Sequence, residues 1–330
     1  MRAVVCREFG PYQDMEIDDI DLPAPAADQI LIDTKAAGVS FGTSLVIAGK
    51  YQRKPPRPFA PGTEVAGVVL EIGADVTGIS VGQRVYAAID WGGFAERAIA
   101  RDIHTHPMPD SLDFPAATLF PISYPTSYAA LVWKGRLQAG ETALIHGASG
   151  AVGLAAVEIA KARGATVIAT ASTGEKRQLA ADHGADHVIP YEGLRDGVKE
   201  ITAGNGVDVV FDPIGGDVFM ESLRATAREG RLVTIGYASG KIPEPPLNFL
   251  LVKNMSIIGL NYGTYLGWSP GDDGADYAGD IKAMHADLHG MLDAGQLRPV
   301  VSYTFPLAQF ADAMDTVLAR RSTGKVVLKI

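Results

Sequence analysis

The sequence predicts an α/β protein in two parts, a doubly wound parallel sheet of six strands over the second half and a mainly-β region before it. Three observations carry this. From Thr142 onward, short β-branched runs alternate with helical patterns. Glycines recur where the intervening helices should stop. The chain before that point shows strand patterns and turn-rich joints with little helical periodicity.

In the first region AVVCREF (3–9), QILIDT (29–34) and EVAGVVLEI (64–72) read as strands, and LPAPAADQ (22–29) and RKPPRPFAPG (53–62) as joints. The six later strands are TALIH (142–146), VIAT (167–170), HVI (187–189), DVVF (208–211), LVTIG (232–236) and SIIGL (256–260). Gly164, Gly184, Gly204 and Gly230 are read as helix ends. The last stretch, YTFPLAQFADAMDTVLARRSTGKVVLKI (303–330), reads strand, amphipathic helix, strand. Six strands complete the parallel sheet, so this piece is expected to return to the first domain.

The 330 residues are 47% hydrophobic and 20% charged, a soluble globular composition for which two domains are the expectation. A formal charge of -9 with no Lys/Arg run argues against a nucleic-acid partner. Anionic ligands must be caught locally. Cys6, the single cysteine, sits in an apolar strand pattern and reads as core; with no disulfide available, a reducing, cytoplasmic home is expected. The N-terminal stretch lacks a signal-peptide apolar region, no run is long enough to span a membrane, and no membrane partner is expected.

Residues 146–165, HGASGAVGLAAVEIAKARGA, carry the chemistry. The dinucleotide fingerprint G-x-G-x-x-G appears as A-S-G-A-V-G over 148–153, with Ala148 in the first glycine's place. A strand precedes it, a helix follows and VIAT returns, completing a βαβ unit. Gly150 would let the main chain approach a pyrophosphate, Gly153 would let the helix pack on the sheet, and Ser149, Ala151 and Val152 complete a turn with unpaired N–H groups at a helix N-terminus. The next strand ends Ala171-Ser172-Thr173 with no carboxylate before Glu175, whereas NAD is usually marked there by an acidic residue. Lys176 and Arg177 follow and, beside Ser172, would meet a 2′-phosphate. NADPH is therefore expected over NADH.

PGTEVAGVVLEIGADVTGISVGQRV (61–85), GGFAE (92–96), PTSY (125–128), HGASGAVG (146–153) and STGKVVL (322–328) resemble the zinc-free medium-chain dehydrogenase/reductases, and among them the quinone oxidoreductase (zeta-crystallin-like) group. The resemblance runs over essentially the whole chain. It implies a GroES-like catalytic domain from 1–122 and 265–330, a Rossmann NADPH-binding domain over 123–264, an active site in the cleft between them, and a homodimer joined through the edge strand around 255–260. Thr126 of PTSY matches the threonine against the nicotinamide. Tyr51 and Thr63 match acceptor-pocket positions, and Asn261, Tyr262 and Gly263 the segment near the carboxamide. Tyr191 matches a position near the adenosine phosphate, while Gly236 and Arg321 match further cofactor contacts.

Metal binding is not expected. One cysteine cannot supply the zinc sites of alcohol-oxidising relatives, and their Gly-His-Glu motif reads Gly62-Thr63-Glu64 here. His285 and His289 share a helix face without a third ligand, His104 and His106 beside Pro107 read as surface residues, and His146 reads as packed at a strand end.

Without a metal, a hydride from NADPH suits an already activated acceptor, a quinone or an enone. Tyr51 is the candidate hydrogen-bond donor to the acceptor oxygen, with packing under the RKPPRP loop as its alternative. Ser40-Phe41-Gly42-Thr43 stands where the family often shows Asn-x-x-Asp; Ser40 can still hydrogen-bond a ribose or an acceptor, and a less polar acceptor is favoured. The leading reading is an NADPH-dependent reductase of quinones or related conjugated carbonyls. An enoyl or 2-alkenal double-bond reductase, or an NADPH-binding protein without turnover, stay open.

Overall fold

The computed structural model describes residues 1–269 and 274–330. They form two compact units, one of Met1–Ile122, Gly263–His289 and Pro299–Ile330, the other of Ser123–Tyr262 and Gly290–Arg298. No helix among the described residues is long and apolar enough to cross a membrane.

The first unit begins with β1 (Arg2–Val5), antiparallel to β2 (Glu16–Asp19). Then come β3 (Gln29–Val39), α1 (Phe41–Ile47), β4 (Glu64–Ile72), β5 (Arg84–Ala88), β6 (Arg97–Arg101), β7 (Thr105–Pro107) and α2 (Phe114–Ala117). β3 alternates buried and partly buried side chains until both faces close over near its end, as a central strand does. Cys6 is buried, in a cluster with Val4, Phe59 and Phe94. Helix α1 has too few turns to show as a periodicity; Ser40 caps it, its Oγ accepting from Thr43 N at 3.3 Å.

The second unit contains α3 (Ser123–Tyr128), β8 (Thr142–Ile145), α4 (Ala151–Ala162), β9 (Thr166–Thr170), α5 (Gly174–Asp182) and β10 (His187–Ile189). It continues with α6 (Leu194–Ile201), β11 (Val207–Asp212), α7 (Gly216–Ala225), β12 (Thr226–Thr234), α8 (Asn248–Lys253) and β13 (Ser256–Gly259). The sheet order is β10-β9-β8-β11-β12-β13, every pair parallel. Strand order reverses between β8 and β11, so the crevice of a doubly wound sheet opens at their C-terminal ends. Gly164, Gly184 and Gly204 follow α4, α5 and α6 with φ of +79°, +108° and +85°. Gly230 does not end a helix: α7 stops at Ala225, and Gly230 lies inside β12, where a Cβ would sit 3.1 Å from the Ala227 carbonyl oxygen. Glu229 takes the left-handed turn instead, at φ +59°.

The chain continues through α9 (Tyr262–Tyr265), α10 (Ala278–Asp293), β14 (Val301–Pro306), α11 (Phe310–Leu318) and β15 (Lys325–Lys329). β15 pairs antiparallel with β3, giving a seven-stranded sheet of order β14-β15-β3-β4-β5-β7, with β6 also on β3.

One sequence expectation is overturned in this unit. His104 and His106 are not surface residues: His104 is 4% exposed, and the His106 ring stacks on His285 at 3.6 Å between centroids. Tyr86, facing His106 across β5 and β7, shares hydrogen bonds with His285 Nδ1 at 2.9 Å and His289 Nε2 at 2.7 Å. Proximity in sequence to Pro107 could not reveal that β5 and α10 cover the His106 ring. Burial, followed by the neighbouring histidines, holds His285 well below the ordinary value; burial, His289, His104 and Lys282 bring His106 to about 3. His104 is also lowered, chiefly by burial.

The folded chain therefore keeps these imidazoles neutral where an unfolded chain would protonate them. Stability is complete above about pH 6.5 and declines as pH falls from there toward 3. Urea midpoints should drop between pH 7.5 and pH 5, and His106→Leu should flatten that slope; a midpoint independent of pH over this range would contradict it.

Candidate functional site

In the second unit, two of the three glycines over 147–153, after β8, have opposite duties. Gly153, in the first turn of α4, would place a Cβ 2.0 Å from the Gly147 carbonyl oxygen and 2.6 Å from its carbon, so helix and strand end can meet only over a bare residue. Gly150, the N-cap of α4, has ordinary extended angles, and its Cβ would meet only Gly147 O at 3.5 Å. The protein's own packing does not demand glycine there; the empty space lies beside an α-helix N-terminus that no side chain caps. Ser149 is buried at 7% exposure, while Ala151 and Val152 are partly buried.

Other candidate cofactor residues border this turn. Gly147 N donates to Tyr191 Oη at 3.0 Å. Ser127, next to Thr126 on α3, donates to Val152 O at 2.6 Å. His146 is packed as expected: its nitrogens reach Thr170 Oγ1 at 2.8 Å and Ser222 Oγ at 2.6 Å, and burial lowers it to about 3.

At the end of β9 Ser172 is exposed, and Thr173 caps α5 by accepting from Lys176 N at 3.2 Å. Arg177 Nη1 donates to Ala171 O at 3.1 Å, holding a guanidinium against the strand end. Gly236 follows β12, with 3.7 Å from its Cβ position to Pro213 O. Asn261 is exposed after β13, and Tyr262 is buried, its phenol raised by that burial.

The acceptor candidates lie in the first unit. Gly62, at φ +93°, would drive a Cβ to 2.5 Å from Phe94 Cδ1. Gly92, Gly93 and Phe94 donate their N–H groups to Ala60, Gly62 and Pro61. The PGTE and GGFAE motifs are thus two sides of one laced loop, from which the partly buried Thr63 leads into β4. Ser40 Oγ lies 3.1 Å from Thr43 Oγ1, so both hydroxyls of the SFGT stretch serve the start of α1. Tyr51 follows α1, half-buried, and burial pushes its phenol up, keeping it a donor across the physiological range. Gly263 O accepts from Trp268 N, and Arg321 is exposed after α11.

Residues 26–110 match the family described as "Alcohol dehydrogenase GroES-like domain", and 151–273 match "Zinc-binding dehydrogenase". The chain is 38% identical to "Quinone oxidoreductase-like protein 2" of Rattus norvegicus, over 100% of its own length and 92% of the relative's. It is a medium-chain dehydrogenase/reductase of the quinone oxidoreductase group. The "Quinone oxidoreductase" of Homo sapiens is 33% identical, with 99% of this chain and 97% of that protein covered. A structure of Escherichia coli quinone oxidoreductase complexed with NADPH has a TM-score of 0.89 at 27% identity, with both chains fully covered. The two-part architecture of this oxidoreductase family is thereby the one observed, a GroES-like part with a Rossmann-like sheet.

Sequence reasoning passed over one residue at this oxidoreductase's crevice. Asp212 ends β11 beside β8, is fully buried, and accepts from Ile214 N at 2.7 Å and Gly215 N at 3.0 Å; burial raises it. The carboxylate folds Pro213–Gly216 into a turn with φ of +70° at Gly215 and +56° at Gly216. The string DPIGG directly after DVVF was the available signal.

The two glycines of the turn should separate cleanly. Gly153→Ala is expected to cost on the order of 2 kcal/mol, about 4–8 °C in Tm, by pressing a methyl group into backbone. Gly150→Ala should stay within roughly 0.5 kcal/mol of the parent. Equal Tm losses in thermal melts would show that Gly150 too is held by packing.

Proposed function

We propose that this chain is an NADPH-dependent, zinc-independent reductase of quinones or related conjugated carbonyls. The observation that carries the reading is the uncapped N-terminus of α4 beside a glycine whose bareness its own fold does not require. NADPH supplies a hydride when bound.

The rest is done by side chains and backbone. The N–H groups of 151–153 and the helix dipole receive a pyrophosphate, with Ser149, Gly150 and Tyr191 around it. Ser172, Lys176 and Arg177 take the 2′-phosphate; the β9 end offers Arg177 and no carboxylate before Glu175. Thr126, Gly236, Asn261, Tyr262, Gly263 and Arg321 orient the remainder of the cofactor. In the first unit Tyr51 donates to the acceptor oxygen as charge develops there, and Ser40 and Thr63 line the pocket. A Tyr51 phenol held up by burial does this without becoming a base.

A homodimer in a reducing, cytoplasmic compartment completes the reading. β13 is an edge strand, and the exposed Leu247, Leu251 and Val252 precede it, a surface suited to a second copy. Light scattering should give twice the chain mass, and Leu251→Glu should shift it toward the monomer; a monomeric parent would refute the dimer.

The deciding assay is cofactor oxidation by metal-stripped protein, NADPH against NADH, with a panel of quinones and short enones and product identification. NADPH-selective turnover is expected. Lys176→Ala should raise KM for NADPH about tenfold, the equivalent of ~1.4 kcal/mol, and leave NADH use nearly unchanged. Gly150→Ala and Ser149→Asp should weaken both cofactors. Saturated carbonyls as products would identify double-bond reduction, and cofactor binding without turnover on the whole panel would sink the reductase reading.

A further inference from the structure

The first unit holds a buried ion pair that the chemistry above does not use. Lys325 Nζ donates to Glu64 Oε2, with side-chain exposures of 4% and 1%. Glu64 Oε1 is buried with no hydrogen-bond partner. A buried pair with one orphaned oxygen is a poor source of stability, because desolvation of both charges offsets most of their attraction.

The geometry shows what it does secure. Lys325 opens β15, Glu64 opens β4, and β3 runs between them, Val39 paired with Val326 and Ala37 with Val65. The two side chains meet over β3 because residue 38 is glycine: a Cβ there would stand 2.7 Å from both Glu64 Oε2 and Lys325 Cε. The pair thus ties three strands across the rim where β3 hands over to Ser40 and where Thr63 enters β4. Ser40 in turn caps α1, the helix that leads to Tyr51.

We infer that Glu64 and Lys325, meeting over Gly38, are positioning residues that hold Ser40 and Thr63 in register for the acceptor. This rests on reading those two residues as acceptor-pocket residues. The pair touches no reacting atom. Its service is to fix the ends of three strands relative to one another, where a displacement of about 1 Å at a reacting centre can cost on the order of 100-fold in rate.

Replacing both partners with apolar residues of similar length, E64L/K325M, removes the charges without leaving one stranded, and E64Q/K325Q does so while keeping polar groups. Three quantities are read in each: Tm, amide hydrogen exchange over 38–45 and 62–68, and acceptor kinetics. The expected result is a Tm at or near the parent's, exchange at least tenfold faster in those two segments alone, and kcat at least tenfold lower with NADPH Kd unchanged. Unchanged exchange in both segments overturns the positioning role, as does a Tm loss with exchange raised evenly over the whole first unit, which would make the pair a strut. If parent protein reduces no acceptor while the two segments loosen as expected, the reductase reading fails and with it the role toward the acceptor, and what stands is the pair's hold on the ends of the three strands.

Discussion

Everything at the nucleotide-binding end depends on one close approach, the first turn of α4 against the Gly147 carbonyl. With a Cβ at residue 153 standing 2.0 Å from that oxygen, α4 could not reach its seat on the sheet. Seated there, its N-terminus opens beside the point where β8 and β11 diverge, and its unpaired N–H groups face the crevice. Under the proposed reading, a chain of net charge -9 would catch an anion there with backbone alone. His146 contributes from beneath, its two nitrogens satisfied by Thr170 and Ser222, so that the strand leading into the turn carries no unmet polar group.

The same unit is braced at the far end of α4. Glu158, 2% exposed, accepts from Tyr124 Oη at 2.7 Å, His183 Nδ1 at 2.6 Å and Arg298 N at 3.1 Å. One buried carboxylate therefore gathers α3, the end of α5 and the segment Gly290–Arg298, which explains why that late segment belongs with this unit. The first unit uses laced loops instead. Gly62 leaves room for Phe94, and the hydrogen bonds between 60–62 and 92–94 bind two distant motifs into one wall.

The sequence misled where a contact crosses elements. His104 and His106 read as surface because a turn and a proline adjoin them, yet His104 is buried and β5 and α10 close over the His106 ring. Gly230 read as a helix end because it sits at the usual interval, yet strand β12 begins before it. Ser40 read only as a hydroxyl for a ribose or an acceptor, yet it caps a helix too short to leave a periodic trace. Asp212 escaped notice because its role, folding the turn after β11, depends on burial that no local pattern records.

What the sequence determined alone was the parallel sheet, its βαβ start with the glycine turn, and the family. Each of these is written in short-range patterns, strand runs, glycine spacing and local motifs, and short-range patterns survive without knowledge of the fold. Tertiary structure alone decided which glycine is required by packing and which is left bare, which histidines are kept neutral, and that Lys325 meets Glu64 over Gly38. The physical reason is distance along the chain. Residues 64 and 325 share no local signal, and only the insertion of β15 beside β3 brings them to one rim.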